Sequence, residues 1–203
     1  MMLKLYLKLQ QKTVIIYFIT CFFSPFNNVL EVKSYIEIQT SNTENIVFII
    51  FSKRLGKTVR SCSIINIDSI SGNAEIGSVW YSNEARNTEI NSATSLLLLT
   101  YLFEVLHYRR IAWKCDNDNT SSKHAAESLG FEYEGTFKKH LIIKGRNLDT
   151  VWFSIINDSW PQKKILIEKR INEKKPVLND KPYKIVLHMT IKALCFSVDF
   201  ANI

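Results

Sequence analysis

Residues 74–93, AEIGSVWYSNEARNTEINSA, constrain the fold most, because they read as a strand, an anion-binding turn and the opening of a helix in one continuous stretch. Ile76, Val79 and Trp80 are apolar residues among small ones, and Ser82 and Asn83 stop the run, which predicts a strand with Gly77 as its weak or bulged point. Residues 83–91 are polar and carry Arg86. From Ser92 the chain becomes SATSLLLLTYLFEVL, with Leu96, Leu99, Leu102, Phe103 and Leu106 at helical spacing. A helix entered from such a turn presents free backbone N–H groups and its positive dipole end, and Arg86 adds a full charge beside them. Phosphate suits that combination.

The other segments supply partners for this strand and helix. PFNNVLEVKSYIEIQT, from Pro25, reads as an amphipathic helix capped at Asn27 or Asn28. NIVFIIF (45–51) and TVRSCSIINID (58–68) are strands around a turn at Gly56, expected to pair as a hairpin and to extend into an antiparallel meander with the strand that starts at Ala74. RRIAWKCD (109–116) is a strand, and NDNTSSKHAAESLGF holds a short helix capped by Asn119 or Thr120 and terminated by Gly130, with Phe131 folding back. Two more strands, EYEGTFKKHLIIKG (132–145) and DTVWFSIIND (149–158), are joined by GRNL, and a helical stretch begins near Trp160 and Pro161. Helix, three strands, helix, strand, helix, two strands is the order of an α/β (α+β) mixed sheet with helices on its faces, not of a bundle or sandwich.

At 203 residues, 46% hydrophobic and 12% aromatic, the chain can bury one core of ordinary size. The net charge of +7 suits nucleic acid, a membrane surface or an anionic cofactor, but much of the excess lies in residues 163–184, where basic and acidic residues alternate as in a solvated segment. Residues 162–203 are therefore set apart as a basic tail, and no nucleic-acid partner is expected. The four cysteines form no CxxC pair and have no histidine at metal spacing, so neither a metal site nor a disulfide framework is expected. Cys62 and Cys115 read as buried thiols in a reducing compartment, which makes the expected location cytoplasmic. Residues 1–24 are atypical: Lys4, Lys8 and Lys12 precede an apolar run, as in a secretory signal. The run is too short to span a bilayer and no small-residue cleavage site follows; a core strand or an upstream extension are the alternatives.

The run GSVWYS, the helix LLLLTYLFEVL, the segment RRIAWKCDNDNTSSKHAAESLGFEYEGTF and the close KGRNLDTVWFSIINDSWP together resemble the GNAT superfamily of acetyl-CoA-dependent N-acetyltransferases, and within it the branch of the ribosomal-protein alanine N-acetyltransferases. The resemblance covers residues 25–161; the family's opening strand and helix are not recognisable in residues 1–24. It implies a mostly antiparallel, splayed sheet. Its central strand, through backbone such as that of Val79 and Trp80, would hold the pantetheine arm of acetyl-CoA, and the following loop, with Arg86, Asn87, Thr88, Asn91 and Ser92, would hold the pyrophosphate. Glu89 stands where the family has Gly, and Asn91 where it has Gly or Ala. A side chain thus occupies a place of close backbone approach, and a carboxylate is brought toward negative oxygens. Pointing to solvent, Glu89 would leave the amides usable; pointing inward, it would weaken binding. Arg60 is a further departure, on a strand where relatives tend to have Gly.

Acetyl transfer from a thioester to an amine needs a deprotonated amine, a stabilised oxyanion and an acid for the departing thiolate. By resemblance Ser122, in the motif Asn119-x-x-Ser122, protonates the sulfur, with Asn119 contacting the cofactor or orienting the loop; both residue types also cap helices, and the two readings are compatible. His140 and Glu75 are the candidate bases: the histidine has a suitable unperturbed pKa, and the glutamate lies on the central strand, where it could equally pair with a Lys or Arg. The expected acceptor is a primary amine on a protein N-terminus or a small molecule, and the chain is read as a monomer or dimer. A GNAT-fold remnant that binds without catalysing, or the product of a decaying gene, is the other function class.

Overall fold

The computed structural model describes residues 45–52, 57–85, 88–143, 145–173, 185–189 and 197–199, with Leu30, Ser34 and Glu37 before them. Those three are helical and lie one turn apart, within the stretch read as an amphipathic helix. The segment 1–24 lies outside the described residues.

β1 (Ile46–Ser52), β2 (Lys57–Asp68) and β3 (Asn73–Tyr81) pair in succession as the antiparallel meander that their apolar runs predict. Helix α1 (Ile90–Thr100) then returns the chain to β4 (Arg110–Asp116), which lies parallel to β3. A helical crossover is what parallel pairing of neighbouring strands requires. α2 (Thr120–Ser128), the hairpin of β5 (Glu132–Ile143) with β6 (Arg146–Ile156), and α3 (Trp160–Glu173) follow. β7 (Ile185–Met189) and β8 (Ser197–Asp199) extend the far side, giving one sheet in the order β5-β6-β4-β3-β2-β1-β7-β8. Every neighbouring pair is antiparallel except β3 with β4.

Sequence and structure part in three places. α1 starts at Ile90 and not at Ser92, so Asn91 and Ser92 belong to its first turn. The β5–β6 turn lies at Gly145, whose φ of 73° is left-handed; β6 is already extended at Arg146, and the GRNL connection is largely strand. The boundary drawn at 161 falls inside α3, whose Ile167 is buried, and β7 pairs with β1. Residues 162–173 read as tail because their charges mask a single apolar stripe.

The core forms where α1 and α3 cover the sheet. Leu98, Leu99, Leu102 and Phe103 of the leucine-rich segment join Ile76, Ile111, Phe153 and Ile155 of the strands and Trp160 and Ile167 of α3. Burying one such leucine or isoleucine contributes about 1.5–3 kcal/mol. After Thr100 the segment turns π-helical over Tyr101–Val105, which shifts the phase of the apolar stripe; Leu106, expected inside, is 42% exposed. α2 ends as its glycine predicts: Gly130 has φ of 84°, and the Phe131 N–H bonds back to the Ala126 carbonyl at 3.1 Å.

Glu104 of the π-helical turn fastens that turn to α3, accepting hydrogen bonds from Trp160 Nε1 at 2.8 Å and Lys164 Nζ at 2.9 Å. The Lys164 bond, helped by Trp160 and opposed by desolvation, holds its carboxyl below the usual carboxylate range. A carboxyl depressed in the folded state stabilises the fold above its unfolded value of about 4.5, and that contribution is lost as pH falls through the lowered folded value. Urea unfolding of wild type and Glu104→Gln should therefore differ most near neutral pH, and the difference should shrink in acid; a pH-independent difference would mean that the carboxylate charge contributes nothing.

Candidate functional site

The site begins where β3 and β4 stop pairing. Their contacts are Asn73 with Arg110, Ala74 with Ile111 and Glu75 with Ala112, yet β3 runs on to Tyr81 and β4 to Asp116. Beyond Glu75 each strand keeps its outer neighbour, β2 on one side and β6 on the other. Among the described residues the inner edges of 76–81 and 113–116 are thus left without a strand partner. A bare strand edge accepts an extended, amide-bearing chain by backbone hydrogen bonds. The bulge foreseen at Gly77 falls just after it: Ser63 pairs with Gly77 but Ser61 with Trp80, and Ser78 takes a φ of 50°. The bulge turns the strand between Gly77 and Trp80.

At the open end of β3 the chain enters a short 3-10 turn, Asn83–Ala85; Arg86 and Asn87 lie outside the described residues. Thr88 is part of the helix start: its hydroxyl donates to the Ala85 carbonyl at 2.8 Å and accepts the Ile90 N–H at 3.3 Å. Asn91 accepts the Tyr81 hydroxyl at its Oδ1, and Ser92 is buried. Glu89, at the cap position of α1, points inward: it is 8% exposed and its Oε1 is buried without a hydrogen-bond partner. Arg60, fully buried on β2, reaches the same turn, donating from Nη1 to the Asn91 carbonyl at 3.1 Å and from Nη2 to Ser95 Oγ at 3.4 Å. Ser82 Oγ and Arg60 Nε are likewise buried and unpartnered. Buried polar atoms are normally satisfied, so three orphans around one helix start mark a place suited to a polar ligand.

The start of α2 faces the other side of the seam, directly after β4. Asn119 Oδ1 accepts the Ser122 N–H at 3.0 Å, which is the capping role. Ser122 Oγ accepts the indole N–H of Trp113 at 2.9 Å. Because that indole nitrogen can only donate, the Ser122 hydroxyl proton is left to point elsewhere, and capping and donation coexist. Burial pushes the neighbouring Cys115 thiol up, and a hydrogen bond from Ser122 opposes that rise.

The two candidate bases occupy different positions. Glu75 sits at the origin of the opening, buried, with Lys114 Nζ at 2.7 Å and Asn66 Nδ2 donating at 2.7 Å. His140 is exposed on β5, two strands away from β4, with its Nδ1 2.9 Å from Thr150 Oγ1. A row of contacts joins them: Lys114 lies 4.4 Å over the Trp152 ring, Trp152 5.2 Å from Phe137, and Phe137 5.4 Å from His140. Lys114 and Asn66 are not among the residues to which the sequence motifs give a role. Lys114 carried one signal, a charge alternating with the apolar face of Ile111, Trp113 and Cys115; Asn66 carried none, since only its φ of 50° brings it to Glu75.

Residues 7–132 match the family model described as acetyltransferase (GNAT) domain. The chain belongs to the GNAT acetyltransferase family. The match begins at residue 7, inside the segment that the motif reading set apart as atypical. YdaF of Bacillus subtilis (strain 168), provisionally named a ribosomal N-acetyltransferase, is 32% identical over 102 residues, covering 50% of this chain; the chain spans 55% of the length of that relative. The crystal structure of a GCN5-related N-acetyltransferase from Brucella melitensis is 29% identical, with a TM-score of 0.79 over 88% of this chain and 79% of its own. The microcin C7 self-immunity acetyltransferase MccE, solved in complex with acetyl-CoA and AMP, shares the fold at 24% identity, with a TM-score of 0.67 over 76% of this GNAT chain and 86% of its own.

The Glu75–Lys114 pair can be tested apart from activity. Glu75→Gln removes the charge partner of a partly buried ammonium, and urea denaturation should show a loss of about 1.5–3 kcal/mol, the range for hydrogen bonds to charged groups. Unchanged stability would show that the pair does not fasten the fork.

Proposed function

We propose that the chain transfers an acetyl group from acetyl-CoA to a primary amine. The observation that carries this reading is the bare inner edge of β3, leading from the fork at Glu75 to a helix start ringed by unpartnered buried polar atoms. The edge suits the amides of a pantetheine arm, with Val79 and Trp80 as its backbone contacts. The first turn of α1, with Thr88, Asn91 and Ser92, suits the diphosphate, and Arg86 and Asn87 are proposed to complete that subsite. Glu89 is the one residue that conflicts with the fit. Acetyl-CoA, when bound, supplies an activated acyl thioester.

The chain's own residues supply the remainder. Ser122, its oxygen occupied by the Trp113 indole, donates its proton toward the departing sulfur while Asn119 fixes the turn that holds it. The incoming amine must lose a proton as its bond to the acyl carbon forms and the carbon–sulfur bond breaks. Glu75, at the fork, is the nearer candidate base, and His140 lies at the far end of the row that leads away from it. The acceptor is read as a protein N-terminus, in keeping with the name of YdaF, or a small amine.

Calorimetric titration tests the donor. Saturable heat with acetyl-CoA is expected, and none at millimolar ligand would remove the transferase reading in favour of a non-catalytic member of the fold. Ser122→Ala should lower kcat by about a hundredfold, the lower end for a positioned acid, with KM for acetyl-CoA little changed. Unaltered turnover would return Ser122 to capping alone.

A further inference from the structure

We propose that Arg60 supplies, from beneath the first turn of α1, the positive charge that draws the diphosphate of acetyl-CoA, in place of the backbone amides that glycines would expose in the loop. The inference rests on the acetyl-CoA reading and assigns a residue to its diphosphate subsite.

Arg60 is fully buried, and among the described residues no carboxylate pairs with it. Its guanidinium is held by neutral groups, the Asn91 carbonyl, Ser95 Oγ and the face of Tyr81 at 5.1 Å, and its Nε has no partner. Burying a cation without a counter-charge costs several kcal/mol, and the positive end of a helix dipole makes the place less favourable still. Both costs turn into attraction when an anion docks at the same helix start. A strand position that only had to pack would not need a guanidinium there.

The surrounding bonds direct this charge at the loop. Ser95 receives Nη2 of Arg60 and lies 3.4 Å from Asn91 Oδ1, which also accepts the Tyr81 hydroxyl. Arg60 thus clamps both the carbonyl and, through Ser95, the side chain of Asn91, one of the two residues that replace small residues of the family loop. Glu89, the other, turns a buried carboxylate with an orphan oxygen into the same first turn. Its charge opposes an incoming diphosphate at that turn. The two departures compensate one another: Glu89 repels the ligand, and Arg60 restores the attraction.

The deciding experiment titrates wild type, Arg60→Met and Arg60→Lys with acetyl-CoA and with S-acetyl-pantetheine, which lacks the diphosphate. Arg60→Met should weaken acetyl-CoA by about tenfold, as loss of one charge near a diphosphate entails, and leave S-acetyl-pantetheine within about twofold. Arg60→Lys should retain most of the acetyl-CoA affinity, and Glu89→Gln should gain affinity for acetyl-CoA only. Equal weakening toward both ligands would make Arg60 a packing residue and overturn the proposal, as would an Arg60→Lys variant no better than Arg60→Met. Should Arg60→Met not fold, Arg60→Gln takes its place in the same comparison. A wild type that binds S-acetyl-pantetheine but shows no preference for acetyl-CoA overturns the inference alone; a wild type that binds neither overturns the transferase reading as well.

Discussion

β3 and β4 are held together by only three residue pairs, and the rest of the structure depends on their parting after Glu75 and Ala112. Unpaired backbone in a sheet interior is costly, so something must keep the strands apart. The outer edges are committed, β3 to β2 and β4 to β6, and the bulge after Gly77 turns β3 away from a flat path. At the fork the Glu75–Lys114 ion pair spans the first step of the opening. These commitments keep the seam open.

Around that opening the molecule concentrates what a globular interior normally avoids. Asn66 and Ser78 adopt left-handed backbone without being glycine, each at a register shift between β2 and β3. Arg60, Ser82 and Glu89 bury unpartnered polar atoms at one helix start. Elsewhere the same α1 contributes Leu98 and Leu99 to an ordinary apolar core. Strain and unmet polarity are tolerated because the packed core holds the framework, with Phe103 of the π-helical turn after α1 stacked on Trp160 of α3 at 5.1 Å.

Much of the scaffold was legible in the chain. The meander, the leucine-rich helix, the Asn119 cap and the Gly130 stop follow from local periodicity and capping chemistry, which operate within a few residues. Ser122 is marked in the chain by its motif, and the structure adds a bond the motif does not show, from the Trp113 indole nine residues earlier. The inward turn of Glu89 could not be read, because a lone carboxylate in a polar loop carries no mark of the side it faces. Nor could the separation of His140 from Glu75, which depends on β6 inserting between β5 and β4.

By itself, the sequence determined the elements and the residue types that bound them, since hydrophobic period, caps and turn residues act along the chain. Only the tertiary structure decided which strand edges remain bare, where β3 leaves β4, and that Arg60 of one strand lies under the helix start that carries Glu89. Those outcomes depend on pairing and burial between segments some thirty residues apart, where the linear order of side chains holds no record of distance.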